Sequence, residues 1–147
     1  MASKRPFTPE QFKEIYSKVP RLTVDLVIKE DRGIVLALRN LPSWNNQWHF
    51  PGGTVFYKET IDQVCKRVAE DELGVSVELL DTLGYIEYPS EEKERGFGWT
   101  VSLAVLCKIT EGEIRPSEEA SKVGYFKELP EGINKEQADF LKKVGLV

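Results

Sequence analysis

Residues 48–75 read WHFPGGTVFYKETIDQVCKRVAEDELGV, a glycine pair followed by a helix whose inner face ends in acid. Gly52 and Gly53 let the backbone approach a ligand or a metal closely, and Pro51 ahead of them holds the approach rigid. Ile61, Val64, Cys65 and Val68 fall at the i, i+3, i+4, i+7 spacing of a buried helical stripe. Glu72 lies four residues beyond Val68 and continues that stripe. A carboxylate on a buried face must find a cation, an arginine or a donor, because an unpaired buried charge costs several kcal/mol or shifts its pKa. Asp71 and Glu72 therefore read as placed residues, and magnesium suits them: it takes hard oxygen ligands, uses few protein carboxylates and shares its remaining positions with water and substrate phosphates. Gly74 ends the helix as a C′ residue does.

Upstream, Thr8-Pro9-Glu10-Gln11 starts a helix running to about Lys18, with Thr8 as N-cap, Pro9 at N1 and Gln11 completing a capping box. Leu22, Val24, Leu26 and Ile28 alternate with Thr23, Asp25 and Lys29, which predicts a strand that Asp31-Arg32-Gly33 turns into a second one, Ile34 to Leu38. Downstream, the pattern predicts one or two strands over Val75 to Tyr88, a deeply buried one over Val101 to Ile109, a short one over Gly124 to Phe126 and a helix over Lys135 to Val144. These elements predict an α/β protein with a mixed sheet between helical layers. No repeat or linker marks a second domain, so 1–147 reads as one unit with a helical extension over 1–20.

A chain of 147 residues with 41% hydrophobic and 30% charged residues has the makings of one well-packed domain. Its net charge of −4 argues against a nucleic-acid polymer as partner, since such binding neutralises many phosphates with Lys and Arg. No segment approaches the roughly 20 apolar residues needed to span a bilayer, and MASKRPFTPEQF has no apolar signal core, so the expected location is the cytoplasm, away from membranes. Cys65 and Cys107 read as small buried hydrophobes.

The stretch resembles the box of the Nudix hydrolases: glycine, five residues, glutamate, seven residues, REUXEE, one residue, glycine and an aliphatic residue. Gly53, Glu59, Arg67, Glu72, Gly74 and Val75 match that spacing without a gap; Val68 stands where an acid should follow Arg67, and Asp71 replaces the first acid of the closing pair. The resemblance, which extends from about Leu22 to Leu129, implies an α/β/α sandwich. It also implies a magnesium-dependent hydrolase, with manganese as the alternative ion, acting on a small nucleoside diphosphate linked to another group.

Within that family, Leu36 to Arg39, the W-x-x-P-G-G run and Val55 to Gly74 are similar to the GDP-mannose mannosyl hydrolases, which also lack the acid at Val68 and cleave at the sugar carbon. The metal ligands implied by that resemblance fall on Gly53, Glu72 and Glu119, with Asp71 beside them. It also implies a diphosphate contact for Arg39, whose other reading is a surface ion pair, and a bracing role for Arg67 and Glu59. Two positions depart from the subfamily: Thr54 stands for the arginine after its glycine pair, and Ala120 for its histidine base. His49, the single histidine, reads as packing or a nucleotide contact, which leaves Glu119 or Glu118 as the better base. Many members of the family pair as dimers, although no interface is visible in this sequence.

Trp44, Trp48, Tyr88, Phe97 and Trp99 offer flat faces for a base. Trp44, in the polar loop LPSWNNQ, and Phe97, in EEKERGFGW, stand out from the aromatics that fill the core, and Arg95 in the second loop is placed to reach a phosphate or sugar. The run Glu91 to Glu94 reads as a solvated loop. Three classes of function stay open at this level: a nucleotide-sugar hydrolase or pyrophosphohydrolase, a nucleotide-binding regulator that has lost turnover, and an interaction domain that reuses the fold.

Overall fold

The structure, a computed structural model, describes residues 5–147; the first four residues of the expected extension lie outside it. In chain order the elements are α1 (Pro9–Tyr16), β1 (Arg21–Glu30), β2 (Gly33–Arg39), β3 (Trp48–His49), β4 (Gly52–Thr54), α2 (Ile61–Val68), β5 (Ser76–Glu87), α3 (Glu91–Arg95), β6 (Thr100–Glu111), β7 (Ala120–Phe126) and α4 (Lys135–Lys143). The capping box at Thr8 and Gln11 forms as expected, but α1 stops at Tyr16, two residues short of Lys18. A second capping box, Thr60 with Gln63, starts α2.

The strands form one mixed sheet in the order β3-β2-β1-β6-β5, with β4 paired to β1 and β7 to β2. Only β1 and β6 run parallel among these pairs. β5 is a single strand whose register against β6 shifts at three bulges, and β7 begins at Ala120, four residues before the expected short strand. Because β1 is central, Thr23 to Ile28 are all buried. Successive side chains on it alternate faces. Val24, Leu26 and Ile28 pack with Val64, Cys65 and Val68 of α2, while Val27 packs with Ile34, Leu36 and Phe50 against Phe140 and Leu141 of α4. This is the sandwich the resemblance implied, with α2 on one face and α4 on the other. Cys65 and Cys107 are both free and buried in the α2 layer, as expected.

α2 passes into one π-helical turn, Ala69–Leu73, closed by Gly74 in the left-handed conformation at φ 70°. A side chain at Gly74 would collide with the Arg115 guanidinium, with Cβ only 2.4 Å from Nε. The wider turn carries Asp71 and Glu72 towards the glycine pair of β4. Such π-bulges are uncommon and concentrate at functional sites.

Candidate active site

The centre of the site is the contact between the π turn and the glycine pair. Glu72 Oε2 accepts the Gly52 N–H at 2.9 Å. Leu26 N–H donates to Pro51 O, and Val55 N–H to Leu22 O. In an antiparallel ladder bonded pairs alternate, so Gly53, opposite Val24, bonds across to β1, and the Gly52 peptide turns outward. The glycine that presents its backbone to Glu72 is therefore Gly52, one residue before the position inferred from the motif. Gly52 is also obligatory on its other side, since a Cβ there would lie 2.5 Å from Asp25 Oδ1.

Asp25 is a buried acid that the sequence pattern hides. It is buried in β1 and accepts a hydrogen bond from the Tyr88 hydroxyl at 2.5 Å. Gln137 Nε2 donates to that hydroxyl at 2.9 Å, and the Gln137 carbonyl accepts from Phe50 N–H at 2.7 Å. A chain of hydrogen bonds thus ties α4 to the glycine approach. Burial pushes the Asp25 carboxyl up to about 6, against the pull of Tyr88, Ser102 and Arg21. Burial likewise pushes Glu72 up to about 8, and the charge of Asp25 adds to the effect, against the Gly52 N–H and the more distant Arg39 and Arg5. Two desolvated carboxylates thus flank one glycine peptide.

Arg67 and Glu59 brace this loop from below. Arg67 Nε and Nη2 bind both carboxylate oxygens of Glu59, at 2.7 and 3.0 Å, while Nη2 also donates to Thr54 O at 2.7 Å. The guanidinium lies 3.8 Å from the Phe56 ring centroid, and the ion pair holds the Glu59 carboxyl below its usual range. A lysine supplies the charge but neither the fork nor the flat face. Arg67→Lys is therefore expected to lower turnover by about 10- to 100-fold, the usual cost of losing a group that orients metal ligands. Steady-state kinetics beside a melting curve checks this, and a variant with wild-type turnover contradicts the bracing role.

Above the glycine loop, arginines gather. Arg39 donates from Nε to Ser43 O at 2.5 Å and from Nη2 to Ser43 Oγ at 3.0 Å, and it makes no ion pair among the described residues. The surface ion pair is thus not its role. Trp44 stands between Arg39 and Arg95, whose guanidinium carbons lie 5.5 and 5.8 Å from its ring centroid. Trp44 itself holds a left-handed φ of 50°, fixed by Glu94 Oε1 accepting its N–H at 2.8 Å and Ser90 Oγ accepting its indole N–H at 3.1 Å. Backbone strain of this kind costs about 1–3 kcal/mol and clusters at ligand sites. A recess of about 310 Å³ opens beside it, lined by Gln47, Ser90, Asn134 and Glu136 among others, though not by Glu72. Phe97 makes an edge-to-face contact with Phe12 of α1, centroids 6.1 Å apart.

The expectation of a solvated run at Glu91 to Glu94 is corrected by the structure. Glu91 to Arg95 form α3, and Glu91 is 1% exposed. Its carboxylate accepts from the Thr100 hydroxyl at 2.7 Å and pairs with Arg21 and Arg95, each at 3.3 Å. A charge run conceals such a residue because three of its members, Glu92, Lys93 and Glu94, do face solvent.

Glu119 neighbours Arg39 through the strand pair, where its carbonyl accepts Asn40 N–H at 2.9 Å, and its carboxylate pairs with Arg5. Glu118 is exposed. His49 donates from Nδ1 to Phe50 O at 2.6 Å, which leaves Nε2 a buried lone pair without a partner among the described residues. Burial pulls this imidazole down to about 4, and the nearby Arg39 charge adds to the effect. An unfolded His49 takes up its proton near pH 6.5, so the stability held above that pH is lost as pH falls towards 4. The loss expected is about 3 kcal/mol by pH 4. It should be absent from His49→Asn, which keeps the donor to Phe50; urea unfolding at pH 7 and pH 4.5 for both proteins checks this.

The NUDIX domain family profile matches residues 19–144. This chain belongs to that family. Among its relatives, the Low-salt glycan biosynthesis protein Agl8 of Haloferax volcanii is 39% identical over 79 residues, which is 54% of this chain and 51% of the relative. The ADP-ribose pyrophosphatase of Methanocaldococcus jannaschii is 24% identical over 107 residues, 73% of this chain and 62% of the relative. The chain thus spans about half to under two thirds of these relatives. Among solved structures, a MutT NUDIX hydrolase from Burkholderia pseudomallei superposes with a TM-score of 0.78 at 24% identity, covering 86% of this chain and 99% of that one. That likeness carries the fold.

Nudix hydrolases generally use divalent metals. Among the described residues no three His, Cys, Asp or Glu side chains gather into a metal-holding group. Glu72 and Asp25 both reach the Gly52 peptide, Glu72 through its hydrogen bond and Asp25 at the position a Cβ would take, and their carboxylate oxygens are hard donors that fit a divalent ion whose shell water and phosphates complete. Asp71 is half-buried in the same turn, and Glu119 pairs with Arg5. Also among the described residues, no helix is long and apolar enough to cross a membrane.

Proposed function

We propose that this Nudix domain is a magnesium-dependent hydrolase of a nucleoside diphosphate linked to a sugar or a similar group, with nucleotide sugars of the GDP-mannose type as leading substrates. The observation that carries the reading is the packing of Arg39 and Arg95 on Trp44, with the Arg39 charge acting on Glu72. Guanidiniums recognise phosphate oxygens by forked hydrogen bonds, and a fixed indole offers a face for a base or sugar. A magnesium ion held by Glu72 and the Gly52 carbonyl, with Asp25 behind them, would neutralise charge on the diphosphate. Among the described residues Arg39 has no hydrogen-bond partner on Nη1, and its guanidinium would stabilise a departing phosphate oxygen. Glu119, beside Arg39, is the carboxylate placed to orient water once Arg5 releases it.

The relatives support the two halves of the substrate separately, one by its link to glycan biosynthesis and the other by its diphosphate bond. Attack at the sugar carbon yields a nucleoside diphosphate and free sugar, whereas attack at phosphorus yields a nucleoside monophosphate and a sugar phosphate. Hydrolysis of a nucleotide-sugar panel in ¹⁸O water separates them. The label is expected in the free sugar; label in phosphate moves the chain to the pyrophosphohydrolase reading.

A further inference from the structure

We propose that Arg21 is a substrate-contacting residue of this site and makes it selective for a diphosphate over a monophosphate; the proposal rests on the functional reading above. Arg21 opens β1, distant in sequence from the Nudix motif, yet its guanidinium reaches the glycine loop. Nη1 donates to Thr54 Oγ1 at 2.8 Å, Nε to Thr100 Oγ1 at 3.2 Å and Nη2 to Glu91 Oε2 at 3.3 Å. A guanidinium has five N–H groups, so three bonds fix the plane of the fork and, among the described residues, two donors stay available, one on each terminal nitrogen. The side chain is 14% exposed, held but not sealed.

The charge balance around it points to an anion. Arg21, Arg39 and Arg95 come from three separate elements; among the described residues Glu91 is the carboxylate within ion-pair distance of Arg21 and Arg95, Arg39 pairs with none, and the buried carboxyls of Glu72 and Asp25 act on Arg39 and Arg21 from farther off. Burial lowers the affinity of all three for their protons, and Arg21 and Arg39 add to this at Arg95, as Arg21 does at Arg39. Two guanidiniums that share one carboxylate, with a third beside them that pairs with none among the described residues, leave positive charge that a diphosphate can neutralise. Phe12 of α1 lies over two of them, with its centroid 5.2 Å from the Arg21 carbon and 5.5 Å from that of Arg95, so water is kept from one side of the cluster.

The test is calorimetric titration, in magnesium, of GDP, UDP and ADP, each beside its monophosphate, into wild type, Arg21→Met and Arg21→Lys. Wild type is expected to favour a diphosphate by at least about tenfold, one well-made pair of charged hydrogen bonds. Arg21→Met should lose most of that preference while its monophosphate affinity changes less than about threefold, which also reports an intact fold. Arg21→Lys keeps a charge beside Glu91 but not the fork, and should fall between the two. Equal losses for both ligands in Arg21→Met, or a Lys variant that binds as wild type does, overturns the role of Arg21. A wild type that binds no nucleoside diphosphate overturns the functional reading beneath it.

Discussion

Glu72→Gln removes turnover by about three orders of magnitude, close to 4 kcal/mol of barrier, without loss of the fold. The amide oxygen of glutamine can still accept the Gly52 N–H that Glu72 accepts at 2.9 Å, so the π turn keeps its hold on β4. The anionic oxygen is what disappears. In metal-free buffer the substitution removes a carboxyl that burial already disfavours as a charge, so the unfolding midpoint is expected to stay level or rise. This pattern, function lost while stability is retained, separates a ligand residue from a structural one. Kinetics and urea unfolding on the same preparations check it. Turnover within tenfold of wild type contradicts a metal role for Glu72, and a fall in midpoint above about 2 kcal/mol makes the residue structural.

Glu91→Ala is expected to cost about 3–5 kcal/mol of stability, the range for breaking a buried ion pair by removing one partner. The carboxylate is 1% exposed and is the shared acceptor of Arg21, Arg95 and the Thr100 hydroxyl. Its removal leaves two guanidiniums facing one another around a cavity. Gly98 shows how tightly the group is enclosed, since a Cβ there would sit 2.9 Å from the Glu91 carboxyl carbon. For a chain of this length such a loss lowers the melting temperature by about 10 °C. A calorimetric scan measures it. A change under 1 kcal/mol means that the pair is solvated and that α3 does not depend on it.

How far the sequence carries the account follows from where its periodicity holds. The stripe Ile61, Val64, Cys65, Val68 defines α2 because one face of that helix meets the core and the other meets water. The same logic fails at β1. Asp25 alternates with Val24 and Leu26 as a solvent-facing residue would, yet β1 lies between β6 on one side and β2 with β4 on the other, and Asp25 is covered by Tyr88 and Gln137. Those partners are 63 and 112 positions away in sequence, beyond any local pattern. Glu91 is hidden in the same way, by a charge run whose other members are exposed. The motif spacing led to the glycine pair, but strand register alone shows that Gly52, and not Gly53, turns its peptide to Glu72. The π turn that brings Glu72 there is likewise invisible to a 3.6-residue period. The bracing pair Arg67 and Glu59 was legible because both partners lie inside the motif.

The central claim, a metal-dependent hydrolase built on Glu72 and its arginines, is tested most directly by turnover of a nucleotide-sugar panel, led by GDP-mannose, across a magnesium titration with a chelated control. The account predicts hydrolysis that chelation abolishes and that added magnesium or manganese restores. Turnover indifferent to the chelator contradicts the metal site, and binding of nucleotide sugars without turnover at any metal concentration makes this Nudix domain a nucleotide-binding regulator.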